Sequence, residues 1–312
     1  VTGGTRATAF GLDIQADADL PFLSGSTVKA TGRSLAIALE DSADGLWPGD
    51  GELISDQRLP DDGGINFQIE RNAEHGYRIW GPSYGTHVLT ADGRQLRGAP
   101  GEGGPASWQR LLIAQALPFA AVLQGLEVLH ASAVAIDGDA IAFAGLSGSG
   151  KTSLALDLCR HGAEFLADDV LAIELDEELL VHPGAPMAGV ARTETDRLRA
   201  AGASGGATLA SDERETIERV SPRATPAPLR RVFLLERGPE GPPEPRFEPA
   251  GEARSLLAST FNLVLADPAR LARLLEVCAR AAAGVVERIQ VGPAVDAGQL
   301  GAAVRERIGL AS

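Results

Sequence analysis

Residues 142–174 read AFAGLSGSGKTSLALDLCRHGAEFLADDVLAIE, and the fold turns on how this stretch is read. Gly145 to Thr152 match the pattern G-x-x-x-x-G-K-[ST] of a phosphate-binding loop. Glycines let the backbone turn with positive φ, so that successive N–H groups face phosphate oxygens. A helix expected over about 151–161, ended by Gly162, adds its N-terminal dipole. The candidate nucleotide-binding residues are Gly145, Ser147, Gly148, Ser149, Gly150, Lys151, Thr152 and Ser153. In such a loop the lysine, here Lys151, reaches the β- and γ-phosphates, and the hydroxyl of Thr152 ligates Mg²⁺.

Asp168 and Asp169 follow 17 and 18 residues after Lys151 (168 − 151 and 169 − 151). A helix of about 11 residues rises about 16 Å, and the run EFLA then returns the chain to the same sheet edge. A right-handed crossover would make this strand parallel to AIAFA and end the two side by side. Both carboxylates would then stand beside the phosphates. One of them fits a Mg²⁺ ligand, and the second fits a base for a hydroxyl acceptor. An acidic loop or a helix cap is the alternative reading of the same pair.

Outward from this core, LEVLHASAVAI and AIAFAG read as strands joined by the tight DGD turn at 137–139. Residues 1–104 read as β-rich, in short alternating runs broken by turn signals such as DDGG and ADGR. GAPGEGGPAS at 98–107 reads as a linker, with Ser107 capping a helix that Pro118 kinks or splits. Residues 193–228 read as a long polar excursion with some helix, suited to a lid or substrate-facing segment. RRVFLLE at 230–236 returns to strand. Helices over 252–262, 268–283 and 296–309 and a strand at VVERIQV finish the chain.

Composition limits the function classes. The net charge of −14 argues against nonspecific binding to nucleic acid or an anionic membrane. Only two lysines occur, Lys29 and Lys151, and the second falls inside the glycine-rich loop. Any further cation for transition-state charge must therefore be arginine, with Arg192, Arg230 and Arg231 as candidates. Cys159 and Cys278 lack metal-ligand spacing and read as reduced thiols. With no apolar run of transmembrane length and no basic-then-apolar leader, a cytoplasmic location is expected.

LHASAVAIDGDAIAFAGLSGSGKTSLALDLCRHGAEFLADDVLAIE resembles the catalytic core of the HPr serine kinase/phosphorylase family. The features carrying the resemblance are His130 in the strand before the loop, Gly145–Thr152, and Asp168–Asp169 after one helix. They span about residues 126–176, with a weaker likeness through APLRRVFLLERG to LLASTFNL. The resemblance implies an α/β fold, a P-loop (HPr kinase/PEP carboxykinase-like) catalytic domain over 105–312 preceded by the β-rich N-terminal domain. It implies ATP and Mg²⁺ as cofactors, Asp168 as the base for the acceptor hydroxyl, and Asp169 as a metal ligand with Thr152. His130 would lie on the active-site floor, near the phosphates or the acidic pair; the alternative is a half-buried strand histidine satisfied by backbone.

Two departures point away from phosphorylase activity and toward kinase-only relatives, including those resembling peptide-tailoring kinases. Ser153 stands where the HPr enzymes carry Glu, and their downstream Gly-rich motif has no counterpart. The expected acceptor is a hydroxyl, foremost Ser of a peptide or protein, with a small-molecule hydroxyl as the alternative. A nucleotide-driven switch without an acceptor is the rival, residues 1–104 would suit a partner-binding module, and a homo-oligomer is possible.

Overall fold

The computed structural model describes residues 3–26, 30–61, 63–200, 206–250, 253–261 and 263–310, so Lys29 lies outside the described residues. The chain divides into two compact units, Val1–Leu126 with Asn262–Leu265, and Glu127–Phe261 with Ala266–Ser312.

The first unit holds one eight-stranded sheet, ordered β1-β2-β3-β8-β7-β6-β5-β4. Its strands are β1 (Arg6–Ala9), β2 (Leu12–Ala16), β3 (Ser34–Leu39), β4 (Glu52–Arg58), β5 (Ile65–Asn72), β6 (Gly76–Gly81), β7 (Gly85–Leu89) and β8 (Gln95–Pro100). The helical segment after them belongs to this unit, so the boundary falls some twenty residues beyond the one expected at 104. Trp108 explains why: its indole N–H donates to Thr86 O at 3.1 Å, and its ring stacks on His87 at 4.6 Å. The expected linker at 98–107 is instead the end of β8, a turn, and the start of α1 (Gly104–Leu111), whose N-cap is Gly103 rather than Ser107. A π turn over Leu112–Ala116 leads into α2 (Leu117–Leu123). Pro118 lacks an N–H and would break an ordinary helix; the wider turn just ahead of it absorbs the defect.

His87 is fully buried, and burial pushes its imidazole down to about 4. The folded unit therefore resists a proton that the unfolded chain accepts near 6.5. The resulting stability is complete above about pH 6.5 and is lost as pH falls toward 4, about 3 kcal/mol in all. Tryptophan fluorescence melts of the native chain are expected to drop steeply between pH 7 and 5, and His87→Phe to flatten that slope. An unchanged slope in the variant would show that the ring is not the titrating group.

The second unit is built on a nine-stranded mixed sheet. Its path runs β12 (Glu164–Ala167), β10 (Ala131–Ile136), β11 (Asp139–Gly145), β18 (Ala227–Arg237), β14 (Leu179–His182), β13 (Leu171–Leu175), β9 (Glu127–Leu129). β20 (Val285–Val291) pairs with the second half of β18 and carries β19 (Arg246–Pro249) at its side. The β10–β11 hairpin closes through Asp137 (φ +52°) and Gly138 (φ +91°), the pair of positive values a two-residue hairpin turn requires.

Side-chain alternation on β11 sorts the two faces. Ala140, Ala142 and Ala144 join a cluster with Leu274, Val277 and Cys278 of α6 (Pro268–Ala283). Ile141 and Phe143 join Leu154 and Leu158 of α3 (Lys151–Arg160) and Leu300 and Val304 of α7 (Ala297–Arg307). Period-two alternation thus sandwiches the strand between helices and fixes where its C-terminal loop emerges. α7 opens on an Asp296/Gln299 capping box, and Asp267 caps α6.

Two expectations are corrected here. The expected strand 126–136 is broken at His130, which joins β9 and β10 at distant points of the sheet path. β12 is parallel to β11 but does not adjoin it; β10 lies between, antiparallel to both. The polar excursion is also more ordered than expected. β15 (Met187–Ala191), α4 (Arg192–Ala200), β16 (Thr208–Ser211) and β17 (Glu215–Arg219) include a three-stranded antiparallel sheet ordered β15-β17-β16. Residues 201–205 of that excursion lie outside the described residues. A short α5 (Ala253–Leu257) precedes α6. Among the described residues, no helix is long and apolar enough to cross a membrane.

Candidate active site

The glycine loop leaves the C-terminal end of β11 and enters α3 at Lys151. Gly145 has φ +153°, and a Cβ there would stand 2.4 Å from Leu235 O on the neighbouring strand, so only glycine fits. Gly150 caps α3 with φ +103°, a left-handed conformation that turns the loop into the helix. Ser149 is buried, and its hydroxyl has no partner among the described residues.

Lys151 folds back over this loop. Its ammonium donates to Gly145 O at 2.9 Å and Leu146 O at 3.2 Å, and lies 3.3 Å from His130 Nε2. Burial pushes its pKa down, opposed by the charges of Asp169 and Asp168. An ammonium only donates, so His130 Nε2 accepts and the ring proton sits on Nδ1. From there it reaches Asp169 Oδ1, 3.1 Å away. The bend that breaks the strand aims His130 this way, fastened by its N–H donating to Ser259 O at 2.6 Å. Lys151, His130 and Asp169 thus form one line of polar contacts.

Asp168 makes a separate set. Oδ1 accepts from Thr152 Oγ1 at 2.7 Å and Ser132 Oγ at 2.6 Å, and Oδ2 accepts from Gly189 N at 3.0 Å. Burial pushes its carboxyl pKa up; the Ser132 and Thr152 hydrogen bonds pull it back down. The strand path explains this geometry, because β10, lying between β11 and β12, carries Ser132 to the carboxylate. Asp169 takes φ +62° within a turn closed by Val170 N donating to Asp168 O at 2.7 Å. That turn sends the two carboxylates in different directions. Asp168 is half-buried against Thr152, while the Asp169 side chain is 60% exposed beside His130.

The arginines expected to assist do not touch the loop. Arg230 pairs with Glu178 and Asp139, and Arg231 with Glu287. Both sit in the first half of β18, four or five residues before Leu235, which pairs with Gly145; at about 3.3 Å per residue their backbones are ~13 Å or more away. Arg192 is held by Ser211 Oγ and Asp212 O. Arg237, at the far end of β18, is the cation that reaches the loop. It donates to Ser149 O at 3.1 Å, Gly292 O at 2.9 Å and Val295 O at 2.8 Å. Among the described residues its hydrogen-bond partners are carbonyl oxygens, and burial lowers its pKa.

Among the described residues no group of three or more His, Cys, Asp or Glu side chains forms a metal cluster. The oxygen donors present, Thr152 Oγ1 and the Asp168 carboxylate, suit Mg²⁺, which takes one or two carboxylates and completes its shell with water and substrate phosphates. Thr152 gives its proton to Asp168, which leaves the hydroxyl lone pairs for a cation.

No family model matches the chain, and no curated protein matches it. Among solved structures, the Hpr(Ser) kinase/phosphatase from Coxiella burnetii is similar at 14% sequence identity, over 59% of this chain and 94% of that chain, with a TM-score of 0.30. This is a distant structural relationship only.

Proposed function

We propose that the second unit is a phosphotransferase that moves the γ-phosphoryl group of a nucleoside triphosphate, ATP foremost, to a hydroxyl acceptor. One observation carries the reading: at the glycine loop its lysine is linked to a histidine and one carboxylate, and its threonine is bonded to the adjacent, divergent carboxylate. Loop amides and Lys151 bind and orient the phosphates, and Mg²⁺, when bound, offsets charge on the phosphate oxygens.

The geometry favours exchanging the two carboxylate roles that the family resemblance implies. Asp168 already takes three hydrogen bonds and shares Thr152, which suits the metal side. Asp169 is open to solvent beside His130, where an acceptor hydroxyl can reach it and give up its proton. That exposure admits an acceptor as large as a peptide or protein chain, and Ser is the residue we favour.

The test is labelled ATP and Mg²⁺ with the full chain and a panel of serine-containing peptides, proteins and small alcohols. Label appearing on an acceptor supports transfer. Free phosphate as the only product with every acceptor tried would instead make the unit a nucleotide-driven switch.

A further inference from the structure

The eight-stranded sheet of the first unit ends in two unlike edges. β1, four residues long, has Ala7 and Ala9 buried. β4, at the opposite edge, runs for seven residues, and none of them is buried. Among the described residues, β5 is the only strand that pairs with it.

Strand alternation fixes which backbone groups this free edge offers. Leu59 N donates to Gly64 O at 2.8 Å across the hairpin. One and three residues earlier, Arg58 and Asp56 therefore turn their N–H and C=O groups away from β5. β4 is continuous over this stretch, because the register shift between Gln57 and Arg58 inserts Asn66 on β5; the bulge of β4 itself lies at Ile54. An open ladder of this kind is a template for another extended chain.

Charge decides which chain fits. By sequence, residues 40–62 carry eight Asp and Glu against one Arg, half of the net charge of −14 within 23 residues. Glu40 pairs with Arg97, Glu52 with Arg71 and Asp56 with Arg58, at the surface, where water and salt weaken such pairs. Two copies meeting along this edge would bring the same acids together, and like charges opposite one another repel. A chain with Lys or Arg at alternate positions is attracted instead. Leu53, 51% exposed, gives the aliphatic stems of such residues an apolar contact.

We propose that β4 is a docking edge for an extended basic segment of a partner polypeptide, which adds to this sheet as a further strand. The proposal stands apart from the phosphotransferase reading, since it uses no residue of the phosphate loop or its carboxylates.

Fluorescence anisotropy of the full chain with a fluorescein-labelled peptide of about ten residues, alternating Lys and Thr, tests it. The controls are a peptide of the same length alternating Glu and Thr, and the Lys peptide N-methylated at every residue, which keeps its charge but cannot donate to a ladder. The Lys peptide is expected to bind at least ~10-fold tighter than either control. It should also slow hydrogen exchange at the Asp56 and Arg58 amides by at least ~10-fold. Arg58→Pro removes an outward N–H at an edge, where proline is tolerated, and should weaken the Lys peptide at least ~5-fold with unchanged melting, although it also removes a positive charge. Equal binding of the N-methylated peptide overturns the proposal, because charge alone would explain it. Equal binding of the Glu peptide, absence of binding by the native chain, or protection confined to other amides overturns it as well. A native dimer that Arg58→Pro dissociates would give the edge to a second copy and also overturn it. Should Arg58→Pro fail to fold, the N-methylated peptide and the exchange pattern, both read on the native chain, decide the outcome.

Discussion

Asp169→Asn is expected to slow phosphate transfer by about 10³-fold while leaving Mg²⁺-nucleotide affinity within about twofold, the signature of a lost proton acceptor. Asp168→Asn is expected to act differently. Its amide oxygen can accept from Gly189 N, which leaves the NH₂ to donate to the oxygens of Ser132 and Thr152. The Thr152 lone pair that would face a cation is then diverted, so the Mg²⁺ concentration for half-maximal rate should rise by about tenfold or more. Rates measured across a Mg²⁺ series for both variants separate the roles. A loss of about 10³-fold in Asp168→Asn that persists at saturating Mg²⁺, with the midpoint of the residual rate unshifted, would restore Asp168 as the base that the family resemblance implies.

How much of this was legible in the sequence depended on the range of each contact. The loop, its lysine and the two aspartates lie within one strand–helix–strand unit, and their residue types are dictated locally by backbone conformation and charge. The DGD hairpin turn was equally local. Strand order was not. Nothing between residues 145 and 164 says that β10 will lie between β11 and β12, because the hairpin that places it there is encoded earlier. The residues that complete the site come from far along the chain: Ser132 and Asp168 are 36 positions apart, Asp168 and Gly189 are 21 apart, and Ser149 and Arg237 are 88 apart. Ser132 did leave a trace. It is a hydroxyl in the otherwise apolar run ASAVAI, and a buried hydroxyl needs a partner. Arg237 left none, since it is one of many arginines in an arginine-rich chain. Residues 193–228 read as a polar excursion because the two strands inside it, TLAS and ETIER, carry one large apolar residue each, so alternation could not show. The helix at 104–123 was assigned to the wrong unit because GAPGEGGPAS has linker composition, while the burial of Trp108 against His87 is a tertiary event.

Glu127→Ala is expected to destabilise the second unit by about 3–5 kcal/mol. Glu127 is completely buried between two cations. Arg273 Nε donates to Oε1 at 2.8 Å, and Arg270 Nε approaches Oε2 at 3.4 Å. Burial pushes the Glu127 carboxyl up and the Arg270 guanidinium down, each held charged by the other. Removing the carboxylate would take from Arg270, itself only 2% exposed, the Glu127 charge that opposes the cost of its burial. Glu127→Met with Arg270→Met should recover most of the loss, because an apolar pair of similar volume avoids burying charge. Urea unfolding followed by circular dichroism distinguishes the two variants, and a cost under about 1 kcal/mol for the single change would show that the network adds little. The consequence reaches the chemistry. Arg270 also donates to Phe261 O at 2.8 Å, and Phe261 N donates to Val128 O at 3.0 Å, which fixes the 259–261 turn against β9. Ser259 in that turn supplies the carbonyl that holds the His130 N–H. Loosening it frees the backbone at the bend that aims His130 between Lys151 and Asp169. The double methionine variant, although refolded, loses the Arg270 bond to Phe261 O and should therefore transfer phosphate more slowly at unchanged nucleotide affinity.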